Sequence, residues 1–216
     1  MSGSASVLID DSKLSYFDQT LFKLESALAL VSGLAVFSLI LIAVVSVVGR
    51  NFFDSPLPGY VDWIEQIMPL IAFMGVSYTQ RLGAHIRMDL FVNKLPPKTL
   101  WITELITTAV ILTITIILIY GTWHHFLRSF DFEAPLWSRD SSIDIGIPLW
   151  PAKLLVPIAF FVLSIRLCIQ VWAYGRAIKE DSLSPVSVPL IEDVKTQAAN
   201  EAAQVSDLSA DNKRIG

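Results

Sequence analysis

The chain has 216 residues, 53% of them hydrophobic and only 17% charged, and carries a formal net charge of −4. Soluble domains average about 25% charged residues and nucleic-acid binders present a basic surface, so both classes are excluded. A disordered chain is excluded too, because it would be far less apolar.

The charges are segregated. Four apolar stretches, 26–49, 61–80, 101–123 and 151–174, contain only Asp62, Glu65, Glu104, Lys153 and Arg166. A soluble helix keeps a polar face, whereas a membrane span needs about 20 apolar residues to cross a hydrocarbon core of about 30 Å. The expected fold is therefore all-α: a polytopic membrane protein with four transmembrane helices and an N-terminal amphipathic interfacial helix. The expected organisation is a cytoplasmic N-terminal segment (1–23), a four-helix membrane domain (24–178) and a disordered cytoplasmic tail (179–216).

Before the first span, residues 12–25 place Leu14, Phe17, Leu21 and Leu24 at helical spacing, with Asp18, Lys23 and Glu25 off that stripe. This pattern predicts a helix lying in the membrane interface. The following run is too long for the core of a cleavable signal. Ser26 to Gly49 is free of charge and is the clearest span. The second stretch is interrupted by Pro69 and Gly75 and the fourth by Pro157 and Arg166, which predicts tilted, kinked or partly interfacial helices and leaves two crossings as the competitor to four. In the third, the β-branched run from Val110 to Ile117 would suggest a strand in water. In lipid a helix is expected, because an open strand leaves its backbone unpaired. The tail is rich in Ser, Asp, Glu and Ala.

Trp and Tyr favour membrane–water interfaces. Tyr60, Trp63, Tyr78, Trp101, Tyr120, Trp123, Trp150, Trp172 and Tyr174 all fall at stretch ends, as four crossings require. Lys and Arg favour the cytoplasmic side. Lys13, Lys23, Arg81, Arg87, Lys94, Lys98, Arg176 and Lys179 lie on one side, and Arg50, Arg128, Arg139 and Lys153 on the other. Both termini are thus expected in the cytoplasm.

Few residues are suited to chemistry. His85 lies in a polar loop, and His124 and His125 end the third span beside Trp123, on the opposite side of the membrane. No pair faces another across two helices as haem ligation requires, so an interfacial role is expected for them. The single cysteine, Cys168, forms no internal disulfide, and its neighbours Leu167 and Ile169 predict a buried thiol. A buried guanidinium needs a carboxylate or carbonyl partner, so Arg166 is expected to pair with a neighbouring helix or a partner subunit. Asp62 and Glu65 share one face of the second helix. Arg81, His85, Arg87 and Asp89 form a dense polar run after the second span, either an ion-pair knot or an ordinary positive-inside loop.

The order Gly49-Arg50-Asn51-Phe52-Phe53, Asp62-Trp63-Ile64-Glu65, Gly83-Ala84-His85-Ile86-Arg87-Met88-Asp89, Ser141-Ser142 and Ile147-Pro148-Leu149-Trp150 resembles the small membrane subunit (Q-type, DctQ-like) of tripartite ATP-independent periplasmic (TRAP) transporters. The likeness spans residues 20–178; Ala84 departs from the usual Gly before His. It implies a bacterial inner-membrane scaffold with no catalytic residue, cofactor or metal. The implied partners are a large M-type permease subunit holding the substrate and ion sites, and a periplasmic binding protein that delivers an organic acid. Uptake would be driven by an ion gradient. Arg50, Glu65, Arg81, His85, Arg87 and Asp89 would then orient the subunit or line its interface. A membrane anchor of a haem- or quinone-linked redox complex is the alternative, and a stand-alone carrier a third reading.

Overall fold

The computed structural model describes residues 13–55, 57–82 and 97–180. Among the described residues five α-helices follow in order: α1 (Lys13–Phe53), α2 (Tyr60–Met74), α3 (Val76–Leu82), α4 (Pro97–Ser129) and α5 (Trp150–Glu180). A short 3-10 turn (Pro135–Trp137) and two isolated β-bridges, Phe130 to Ser138 and Ser141 to Pro148, shape the connection between α4 and α5.

Among the described residues, three helices are long and apolar enough to cross a membrane: Leu14–Phe53, Thr99–Ser129 and Trp150–Lys179. The second predicted stretch is divided into α2, of 15 residues, and α3, of 7. Neither alone reaches the length a span needs. Pro69 lies inside α2, where it removes one helical donor. Gly75, a poor helix former, makes the break while keeping right-handed torsions (φ −84°, ψ −10°).

The 41 residues of α1 run without interruption from the predicted interfacial segment through the first span. At about 1.5 Å per residue this is about 60 Å, twice the hydrocarbon thickness. Its early turns split the expected apolar stripe. Leu14 and Leu21 are buried, but so are Asp18 and Glu25, while Phe17 and Leu24 are exposed. The chain leaves α1 through Asp54 in the left-handed region (φ 48°), and the Ser55 N–H donates back to the Gly49 carbonyl at 3.1 Å. A side chain at Gly49 would begin 2.6 Å from the Ser55 oxygen, so this turn needs glycine there.

The apolar core gathers Leu14 and Leu21 of α1, Trp101 of α4, and Val162, Ile169, Ala173 and Tyr174 of α5. Trp101 and Tyr174 stack at 6.1 Å between ring centroids. These two rings, at the ends of the third and fourth predicted stretches, pack against each other inside the protein. The outward stripe of α5 is Ile158, Phe161, Ile165, Cys168 and Trp172. Cys168 is therefore exposed rather than buried, because its register places it between Ile165 and Trp172 on the apolar outer face. The expected tail, and the segments holding His85, Arg87 and Asp89, lie outside the described residues.

Candidate functional site

Arg166 sits in the interior of α5, fully buried. It grips Glu25 of α1 bidentately: Nε donates to Oε1 at 2.8 Å and Nη2 to Oε2 at 2.6 Å. Its Nη1 donates to Asp18 Oδ1. Asp18 and Glu25 are seven residues apart, two helical turns, so they project from one face of α1. A planar guanidinium spans both carboxylates, which a point-charge ammonium would not.

Arg81, in the last turn of α3, completes the arrangement. Its Nη2 lies 2.7 Å from Asp18 Oδ2, and its guanidinium stacks over the Phe22 ring at 4.0 Å. Ser77 Oγ donates to Glu25 Oε1 at 2.5 Å. One turn from Arg166, Gln170 accepts from Gln80 Nε2 at 2.9 Å. Two cations thus face two anions, every charged group is hydrogen-bonded, and three helices are tied together. A buried charge is tolerable only under these conditions.

A second polar cluster lies at the opposite end of the bundle. Asp62, in the first turn of α2, is buried, and its Oδ2 accepts from Ser142 Oγ (2.6 Å) and from the backbone N–H groups of Ile145 (2.7 Å) and Asp144 (3.2 Å). Asp144 in turn accepts from the Gly59 N–H at 2.8 Å, and Gln66 donates to the Pro148 carbonyl at 2.7 Å. Asp62 therefore locks the 142–147 turn onto α2, leaving Ile143 fully exposed at its tip. Lys153 Nζ pairs with Asp140 (2.6 Å) and donates to Ser129 Oγ (3.1 Å). The Lys153 ammonium, and the Ser129 hydroxyl donating to Asp140 Oδ2 at 3.0 Å, hold the Asp140 carboxyl below the usual carboxylate range. The Glu133 backbone N–H, followed by the Arg139 guanidinium, does the same for Asp131.

The predicted site residues divide accordingly. Arg81 and Arg166 come together through Asp18. Arg50 is exposed in the last turn of α1. Glu65 is exposed on α2 and does not share the environment of Asp62. His124 meets Tyr120 edge-on at 4.5 Å, and His125 lines a cleft with Glu65. Glu104 accepts from Tyr174 Oη at 3.4 Å. Sequence reasoning passed over Asp18 and Glu25, which it noted only as lying off the apolar stripe of the first helix. Their seven-residue spacing on the helix preceding a span was the available signal.

A family model described as "Tripartite ATP-independent periplasmic transporters, DctQ component" matches residues 39–174. The match takes in Arg81 and Arg166 but neither Asp18 nor Glu25. No curated protein matches the chain.

Proposed function

We propose that this chain, which belongs to the DctQ family of tripartite ATP-independent periplasmic transporters, is the small scaffold subunit of such a transporter. The family is one of transporter components rather than enzymes, and the long apolar helices are those of a multi-pass membrane protein. Its partners are a large M-type permease subunit and a periplasmic binding protein. The complex takes up organic acids on an ion gradient in the bacterial inner membrane. Both termini of the chain are cytoplasmic, with α2 and α3 in tandem making the fourth crossing and the first turns of α1 at interfacial depth. Arg81 and Arg166 orient α1, while Arg50, His85, Arg87 and Asp89 contact partners or the loops that meet them.

One observation carries this reading. The charges of Asp18, Glu25, Arg81 and Arg166 are consumed in holding the chain's own helices together, while the long outer faces of α1 and α4 remain apolar and exposed. Such a molecule presents surfaces to lipid and to a membrane partner, and leaves substrate handling to that partner.

The test is reconstitution. The tagged chain should co-purify with the large subunit, and liposomes should accumulate substrate only when both are present with the binding protein. Ion-driven uptake by this chain alone would replace the scaffold with a stand-alone carrier. Reduced-minus-oxidised b-type haem bands in the purified chain would replace it with a redox anchor.

A further inference from the structure

A cleft of about 300 Å³ opens between α2, α4 and the start of α5. Its wall includes Pro69, Phe73 and Val156, and its mouth Glu65, His125 and Lys153. From Glu65 to Phe73 is eight residues along α2, about 12 Å of helix. The wall thus carries an apolar surface away from a polar rim. The flanking residues Trp63, Met68, Tyr120 and Trp123 are exposed and apolar or interfacial in type, so the cleft is continuous with the surface that meets lipid.

The rim has a definite charge preference. Lys153 is already neutralised by Asp140 at 2.6 Å and satisfied by Ser129. Glu65 pairs with no cation among the described residues and is exposed. One turn further on, Pro69 has no N–H, so the Glu65 carbonyl lacks its ordinary helical donor. A carboxylate with no paired cation among the described residues, beside a carbonyl that has lost its ordinary donor, suits a cation that donates hydrogen bonds. An ammonium donates; a quaternary amine does not, and an anionic headgroup would be repelled.

We infer that this cleft is a lipid site selective for phospholipids with a primary ammonium headgroup. The ammonium binds Glu65, and an acyl chain lies along Pro69, Phe73 and Val156. The site does not depend on the scaffold reading, since it requires only that the chain reside in a bilayer.

Native mass spectrometry of the detergent-solubilised full chain, titrated with phosphatidylethanolamine, phosphatidylcholine and phosphatidylglycerol, tests it. Phosphatidylethanolamine should bind best. Glu65→Gln should weaken it about tenfold, the size of one charge-assisted hydrogen bond, and abolish its advantage over phosphatidylcholine. Phe73→Trp should weaken all three lipids by filling the cleft while leaving their ranking unchanged. Soluble phosphoethanolamine should not compete. An unchanged ranking in Glu65→Gln, or competition by the soluble headgroup, would overturn the proposal. So would displacement of the lipid by the large subunit, which would make that subunit the occupant.

Discussion

Replacing Arg166 with leucine removes the hub of the buried network. Three hydrogen bonds to Glu25 and Asp18 disappear, and two carboxylates keep a single cation, Arg81, which reaches only Asp18. Glu25 is left buried against the Ser77 hydroxyl, with no cation beside it. Breaking a buried pair by deleting one partner costs about 3–5 kcal/mol, most of it from the charge left uncompensated. For a chain of this size that corresponds to a fall in Tm on the order of 10 °C. Arg166→Leu in detergent, followed by thermal unfolding monitored through tryptophan fluorescence, gives the first number. The decisive measurement is the double-mutant cycle with Glu25→Gln. Neutralising Glu25 as well removes the stranded charge, so the double variant should be more stable than the sum of the two single losses predicts. Arg166→Lys should fall between wild type and Arg166→Leu, since an ammonium cannot bridge both carboxylates. Additive losses, or an Arg166→Leu variant with wild-type stability, would show that the four charges do not act as one unit.

Three further outcomes concern the opposite end of the bundle. Asp62→Ala removes the acceptor shared by Ser142, Asp144 and Ile145, so limited proteolysis should cut the 142–147 turn faster than in wild type while the helical circular dichroism is retained. Gly59→Ala places a methyl at φ +67° and 2.5 Å from Ile145 Cδ1; it should destabilise the fold by about 1–2 kcal/mol, read as a lower Tm. The folded pKa values of Asp140 and Asp131 lie below their unfolded ones, so each contributes stability that is present above the unfolded pKa and lost as pH falls through the folded value. The connection between α4 and α5 should thus be unaffected at neutral pH and loosen below about pH 4, and Asp140→Asn should remove part of that dependence in a pH series of proteolysis rates.

Much of the architecture was legible locally. Helix type, the three long apolar helices and the weakness of the second stretch follow from apolar run length and from Pro69 and Gly75, because helix formation and lipid solvation depend on neighbours in the chain. The need of Arg166 for a buried partner was legible as well, since a guanidinium in a span cannot stay alone. The order of short motifs identified the family that residues 39–174 match.

Which residues meet was decided by packing alone. Arg166 finds Asp18 and Glu25 at separations of 148 and 141 residues, and Arg81 finds Asp18 at 63. No local periodicity encodes those distances. Asp62 and Glu65 are three residues apart, yet one is clamped by a distant turn and the other faces a cleft. The early turns of α1 show the reason most clearly. The stripe Leu14, Phe17, Leu21 and Leu24 was read as one apolar face turned to the membrane, yet Leu14 and Leu21 pack into the core. Where lipid surrounds the helices, apolar side chains such as Phe17 and Leu24 are stable on the outside. The charges gain from burial against a partner, so Asp18 and Glu25 turn in beside Leu14 and Leu21, and tertiary structure brings part of the polar face into the interior.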